Sequence, residues 1–247
     1  MVLIPFFLWV VSNNIAHSLT FTIIAVLFIF SKYIRKLIFL NNTLEIVFLF
    51  LLLRSLINRL GLGNYFPLDL VICICSLYFF LFCIKKTSAY ELNLKVGIIS
   101  KNIPISLIFA IISVAGLSVW FISQGNNPYA EKIPEATTVL LILMGIGFAA
   151  INAVYEEGIF RSILFSYFSK EVGFIPALFL QAFWFSFMHY QTGFPSGSIG
   201  ILMTFIFGIM MGYLVHRTRG ILIPVIIHFV ADISIFLLVL SRTKGFV

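Results

Sequence analysis

The sequence predicts an all-α membrane protein of about eight transmembrane helices around a buried polar active-site cavity. Of the 247 residues, 61% are hydrophobic and only 10% are charged, so polar side chains are too few to cover a soluble domain. The apolar residues fall in runs of about 20, the length that a helix needs to cross a bilayer. Three of the later runs contain ionisable side chains, which indicates a polar centre inside the protein.

Turn residues, prolines and basic clusters separate the runs. Asn41-Asn42-Thr43 is a helix cap before the second run, Pro67 opens the third, and Pro104 lies in the first turn of the fourth. The fifth run is too long for a straight perpendicular span, which indicates a helix that is tilted or broken near Gly158. The eight runs are 3–34, 44–60, 67–84, 103–122, 138–168, 174–190, 199–215 and 221–240.

We interpret the chain as a single integral membrane domain, 1–247, with N-terminal helices in 1–122 and a motif-bearing catalytic core in 138–240. The net charge of +7 comes from Lys and Arg clusters between runs, where orientation signals lie, and no nucleic-acid-binding motif accompanies it. Most of these cations fall in odd-numbered loops. The odd loops are therefore expected in the cytoplasm, and a bacterial inner (cytoplasmic) membrane is the expected location.

The fifth run carries an acidic pair and an arginine, Glu156, Glu157 and Arg161. Glu157 and Arg161 are four residues apart, so they share a helical face and can pair, whereas Glu156 is rotated by about 100° towards another neighbour. A Glu–Arg pair alone could be structural, because polar pairs hold membrane helices together. The second glutamate favours a functional site, since packing needs only one.

Two other runs place histidine at polar positions. His189 ends the sixth run, and His228 lies in the eighth with Asp232 one turn further on the same face. Either histidine alone would more often be an ordinary buried side chain. Together with the acidic pair, they predict one polar centre built from three spans, which His17 and His216 do not join.

These motifs resemble those of a known protein family. Glu156-Glu157-x-x-x-Arg161, Phe185-x-x-x-His189 and His228-x-x-x-Asp232, in this order, are similar to the motifs of the CPBP family of intramembrane proteases, which includes the CAAX-type prenyl-protein endopeptidases. The CAAX enzymes often have Asn at the position of Asp232. The loop that follows His189 also resembles that of sorting-type, myxosortase-like bacterial members.

The resemblance implies a glutamic-type endopeptidase that cuts a protein substrate near its C-terminal transmembrane segment or lipid-anchored tail. Glu156 would take a proton from water that His189 positions. His228 and Asp232 would bind or polarise the scissile carbonyl. Glu157 and Arg161 would support the shape of the site.

Two alternatives remain open at this point. Two His and a Glu can form a three-ligand zinc site, although the sequence has no H-E-x-x-H motif, and we favour a reaction without a metal or cofactor. A non-catalytic scaffold or regulator of a partner membrane protein could also retain this fold. The complete set of polar residues favours the enzyme. Rhomboid-type serine and aspartate-pair protease motifs are absent from the sequence.

Overall fold

The computed structural model describes residues 41–123, 133–192, 194–195 and 197–242, so the first apolar run lies outside the described residues. The other seven runs are all helical, and the described residues contain no strand. In chain order the helices are α1 (Asn41–Arg59), α2 (Leu68–Phe79), α3 (Ile103–Ser123), α4 (Thr138–Glu157), α5 (Phe165–Val172), α6 (Phe174–Thr192), α7 (Gly197–Thr218) and α8 (Leu222–Ser241).

Four helical stretches of the described residues are long and apolar enough to cross a membrane: Ser100–Ser123, Thr138–Val172, Gly197–Thr218 and Leu222–Ser241. Leu68–Ile84 and Phe174–His189 are shorter apolar helices. The outward side chains of α3 include the exposed residues Leu107, Ile108 and Ile111, which suit contact with lipid. The prediction of an all-α integral membrane protein with several spans is confirmed.

The fifth run, which holds the charged residues, forms one long helical stretch with an irregular segment near its middle. Thr137 caps the N-terminus of α4, its hydroxyl accepting from the backbone N–H of Leu140. After Glu157 the helix continues as a π-helical segment, Gly158–Leu164, and then as α5. The whole run is 35 residues long, so Glu156 lies near its middle. The irregularity expected near Gly158 is therefore a widened turn rather than a break.

Contacts between residues divide the chain into two compact units. The described part of the first unit is 41–88 and 166–177, where α1 packs against α2. Glu171 accepts hydrogen bonds from the backbone N–H groups of Asn42 and Thr43 at 3.1 and 3.3 Å, so this carboxylate caps α1. Arg54 pairs with the buried Asp69 at 3.0 Å, and Lys85 pairs with Glu45.

The described part of the second unit is 89–123, 133–165, 178–192, 194–195 and 197–242. Its central element is α8, which packs against α4, α3 and α7. At one end of α8, Ile223 and Ile227 pack with residues of α7 and α3 in a buried cluster. At the other end, Val239 packs with Trp120 and Phe121 of α3. Because apolar clusters fix both ends of α8, the polar residues between them are held in place.

The non-helical segment 95–98 bonds to the connection between α7 and α8 at one end of this unit. Ile98 donates to the carbonyl of Thr218 at 2.7 Å, and Ile221 donates to that of Lys95 at 3.0 Å. Gly220 makes this close approach possible, since a Cβ there would lie 2.5 Å from the Lys95 carbonyl oxygen. The basic residues Lys95, Lys101, Arg217 and Arg219 thus lie near one end of the helices, whereas Arg242 contacts the Ile122 carbonyl at the other.

This arrangement yields a test of orientation. Ser100 and Ser241 are both exposed, one before α3 and the other at the end of α8. In a background with Cys73, Cys75 and Cys83 replaced, we expect an impermeant maleimide to label Ser241→Cys on intact cells. Ser100→Cys should react only after the cells are opened, because the basic end faces the cytoplasm. The opposite labelling pattern would reverse the predicted orientation.

Candidate active site

The site begins where α4 changes into the π-helical segment. Every residue of Gly158–Leu164 is buried, and this stretch follows Glu156 and Glu157 directly. Single π-helical turns inside α-helices occur frequently at functional sites. Here the widened turn still leaves Arg161 beside Glu157, with 3.0 Å between Nη1 and Oε1 and both side chains fully buried. The ion pair that the four-residue spacing predicts is therefore present.

Aromatic rings complete the surroundings of Arg161. Its guanidinium carbon lies 4.2 Å from the centre of the Phe185 ring and 5.7 Å from that of Phe207. Those rings come from α6 and α7, so three helical segments enclose one cation. A guanidinium suits such a place because it combines a carboxylate partner with stacking on aromatic faces. Arg161 thus joins the acidic pair to the helix that carries His189.

His228 of α8 is oriented by the same carboxylate. Its Nδ1 is 2.7 Å from Glu157 Oε1, and because an ionised carboxylate can only accept, Nδ1–H is the donor. The other ring nitrogen, Nε2, therefore faces Glu156 Oε2 at 3.5 Å and Asp232 Oδ1 at 3.6 Å. Glu157 is thus more than a partner for Arg161, since it also fixes the direction of the His228 ring.

His189 of α6 is oriented by a backbone group instead. Its Nδ1 lies 2.8 Å from the carbonyl oxygen of Phe185, one turn earlier, and donates to it. This leaves Nε2 directed towards Glu156 Oε2 at 3.7 Å. The Phe185 ring supports the imidazole, with 4.4 Å between ring centres. Phe185 therefore contacts both Arg161 and His189, which explains why an aromatic residue suits this position.

Glu156 lies between the two imidazoles. Its side chain is 16% exposed, whereas that of Glu157 is fully buried. Oε2 is buried and has no hydrogen-bond partner among the described residues. The two neighbouring glutamates thus have different surroundings: Glu157 is held by Arg161 and His228, and Glu156 presents an oxygen to two ring nitrogens.

One residue of the site was missed by the sequence analysis. Asn152 of α4 donates from Nδ2 to Asp232 Oδ2 at 3.1 Å, and Asp232 itself is buried. Asn152 precedes Glu156 by four residues, so the two share a helical face. An isolated amide on the face of the acidic pair, within an apolar run, was the available signal.

A cavity of about 200 Å3 adjoins the two histidines and Asp232, far more space than one water molecule requires, whereas Glu156 is not among its lining residues. His189, His228 and Asp232 form its polar wall. The rest of the lining is almost entirely apolar and comes from α3, α7, α8 and the Phe194–Pro195 turn. It includes Ile112, Leu117, Met203, Ile206, Phe207, Met210 and Ile235. Such a site suits a largely apolar ligand with one polar group near the histidines.

The structure brings together all six residues that the motifs predict. Glu156, Glu157, Arg161, His189, His228 and Asp232 all belong to the second unit. His216 lies in the last turn of α7 and does not line the cavity, and His17 lies outside the described residues. The part of the chain that the structure describes contains no cluster of three or more His, Cys, Asp or Glu with the arrangement of metal ligands.

The comparisons with known proteins concern the same segment. Residues 138–234 match the family model of type II CAAX prenyl endopeptidase Rce1-like proteins. This segment is less than half of the chain, yet it contains all six predicted site residues. The match supports the resemblance to CAAX-type members of the CPBP family and does not test the sorting-type subfamily. No curated protein and no solved structure matched the chain.

The buried ion pair generates a prediction about stability. Arg161→Ala should lower the free energy of unfolding by roughly 3–5 kcal/mol, because it leaves the Glu157 carboxylate buried without its cation. The double variant Glu157→Gln/Arg161→Met should lose less than Arg161→Ala, since it removes both charges. Thermal unfolding in nanodiscs measures this, with the exposed Lys101→Ala as control. Equal stability of Arg161→Ala and wild type would mean that the pair is energetically irrelevant.

Proposed function

We propose that this protein is an intramembrane endopeptidase that hydrolyses a peptide bond near the C-terminal membrane anchor of a protein substrate. The observation that carries the proposal is the position of Glu156 Oε2 between His189 Nε2 and His228 Nε2, at 3.7 and 3.5 Å. These separations exceed a direct hydrogen bond of about 2.7–3.2 Å. They suit a water molecule that contacts the carboxylate and both rings.

In the first step Glu156 takes a proton from this water while the water oxygen attacks the carbonyl carbon of the peptide bond. His189 contributes by accepting a hydrogen bond at Nε2, because its Nδ1–H is already donated to the Phe185 carbonyl. A carbon–oxygen bond forms, and the carbonyl oxygen becomes an oxyanion.

In the second step the oxyanion collapses, the carbon–nitrogen bond breaks, and Glu156 gives its proton to the departing amine. His228, when protonated on both nitrogens, donates from Nε2 to the oxyanion, while Nδ1–H remains bound to Glu157. Asp232 Oδ1, 3.6 Å from that nitrogen, stabilises the charged ring. A carboxylate cannot itself donate to an oxyanion, so the direct contact with substrate is assigned to His228.

The proposed substrate follows from the cavity and the family match. The apolar lining suits side chains or a lipid group next to the scissile bond, and the matched family description names CAAX prenyl endopeptidases. More specifically, the substrate carries either a prenylated C-terminal tail or a C-terminal transmembrane segment. The second fits the sorting-type loop after His189, of which Gly193 and Ser196 lie outside the described residues. We place the enzyme in a bacterial inner membrane.

The proposal predicts that Glu156→Gln abolishes cleavage, with kcat lower by roughly 100- to 10,000-fold, because the amide cannot take the proton. Purified protein in nanodiscs would be given two probes: a quenched farnesylated peptide with a CAAX-type end, and a reporter with a C-terminal transmembrane helix. Glu135→Gln, the same change at an exposed site, is the control. Full activity of Glu156→Gln would exclude this mechanism. A wild-type protein that cleaves neither probe would favour the non-catalytic scaffold.

The reaction is proposed to need no metal. We therefore expect phenanthroline and EDTA to leave cleavage unchanged and elemental analysis of active enzyme to find no stoichiometric zinc. A zinc enzyme would behave differently because the ion itself generates the nucleophile. Glu156, His189 and His228 are the residues that would then hold it. Loss of activity with zinc removal and its return on adding zinc would replace the direct-water mechanism.

A further inference from the structure

Asn152 is a polar side chain of the site that the proposed chemistry leaves unused. It lies half-buried on α4, one turn before Glu156, and its amide donates to Asp232 on α8 at 3.1 Å. The bond therefore joins the helix that carries the proposed base to the helix that carries His228. A partly buried polar side chain that makes one such contact within an apolar helix has either a structural or a functional reason to be there.

The two oxygens of Asp232 face different partners. Oδ2 accepts from Asn152, whereas Oδ1 lies 3.6 Å from His228 Nε2, and the residue also lines the cavity. Rotation about χ2 of an aspartate is soft, so nothing intrinsic to the side chain keeps one oxygen towards the histidine. The Asn152 amide supplies that constraint, because a carboxylate oxygen held by an N–H donor sets the direction of the other.

We propose that Asn152 is a positioning residue for the proposed hydrolysis: its amide holds Asp232 so that Oδ1 faces His228 Nε2 at the cavity wall. The inference rests on the proposed function. It extends that function by giving one face of α4 two roles, with Glu156 acting on water and Asn152 acting through Asp232. His228 then has a carboxylate on each side, with Glu157 hydrogen-bonded to Nδ1 at 2.7 Å and Asp232 Oδ1 at 3.6 Å from Nε2.

A purely structural role would have a different signature. If the Asn152–Asp232 bond only joined α4 to α8, its loss would lower thermal stability. It would change neither the surroundings of the His228 ring nor the catalytic rate. If Asn152 positions Asp232, its loss changes kcat with little effect on KM, since it affects the transition state more than substrate binding. That effect must also disappear once Asp232 has no carboxylate.

The first measurement is spectroscopic and needs no substrate. The chain has only four histidines, so 15N-histidine labelling gives a spectrum that single His variants can assign. Asn152→Leu, close in size but apolar, should shift the Nε2 resonance of His228 and leave that of His216 unchanged. In an Asp232→Ala background the same change should have no effect on His228. Ser234→Ala on α8, whose hydroxyl donates to the Val230 carbonyl of its own helix, is the control and should shift neither.

The second measurement is kinetic. With whichever probe wild type cleaves, Asn152→Leu should lower kcat roughly 10- to 100-fold, the range for residues that orient a functional group through another, with KM within about twofold. An unchanged His228 resonance with only a lower melting temperature would overturn the proposal. So would an equal shift in the Asp232→Ala background. If wild type cleaves no probe, the proposed function fails, and the resonance comparison still decides whether Asn152 positions Asp232 against His228.

Discussion

The buried Glu157 carboxylate is the interaction on which the rest of the site depends. Its Oε1 lies 3.0 Å from Arg161 Nη1 and 2.7 Å from His228 Nδ1, so one atom joins a cation of its own helix to a histidine of α8. In surroundings without bulk water, a charge in this position is tolerated only when it is paired. The aromatic rings of Phe185 and Phe207 around Arg161 complete that pairing and bring α6 and α7 to the same point. The cluster lies at the start of the widened turn Gly158–Leu164, near the middle of a 35-residue helical run.

Two adjacent glutamates therefore differ because of their surroundings rather than their chemistry. Glu157 has its charge compensated at Oε1 by Arg161 and His228, so it is unsuited to proton transfer, although its Oε2 is also buried without a hydrogen-bond partner among the described residues. Glu156 keeps a buried oxygen without a protein hydrogen-bond partner among the described residues, flanked by two imidazoles. A base for hydrolysis needs such an oxygen, and it needs neighbours that are already oriented when substrate arrives. The carbonyl of Phe185 orients His189, and the carboxylate of Glu157 orients His228.

The spacing of residues in the sequence predicted those structural features that depend on a single helix. Four residues between Glu157 and Arg161 predicted their pairing, and apolar runs with their bounding residues predicted seven helices that the structure describes. Features that depend on how helices pack could not be predicted. Nothing in the spacing of His228 indicates that Glu157 rather than Asp232 accepts from its Nδ1, nor that Asn152 reaches Asp232 from 80 residues away. The cap of α1 is another case: its own Asn41-Asn42-Thr43 was the expected cap, yet Glu171 accepts from the backbone N–H groups there.

The central claim is that Glu156 and the two histidines hold a reactive water directly. A high-resolution crystal structure with anomalous data at the zinc edge tests this most directly. The account predicts a solvent oxygen about 2.6–3.2 Å from both Glu156 Oε2 and His189 Nε2, with no anomalous peak at that position. An anomalous peak bonded to Glu156, His189 and His228 at about 2.0–2.2 Å would contradict it.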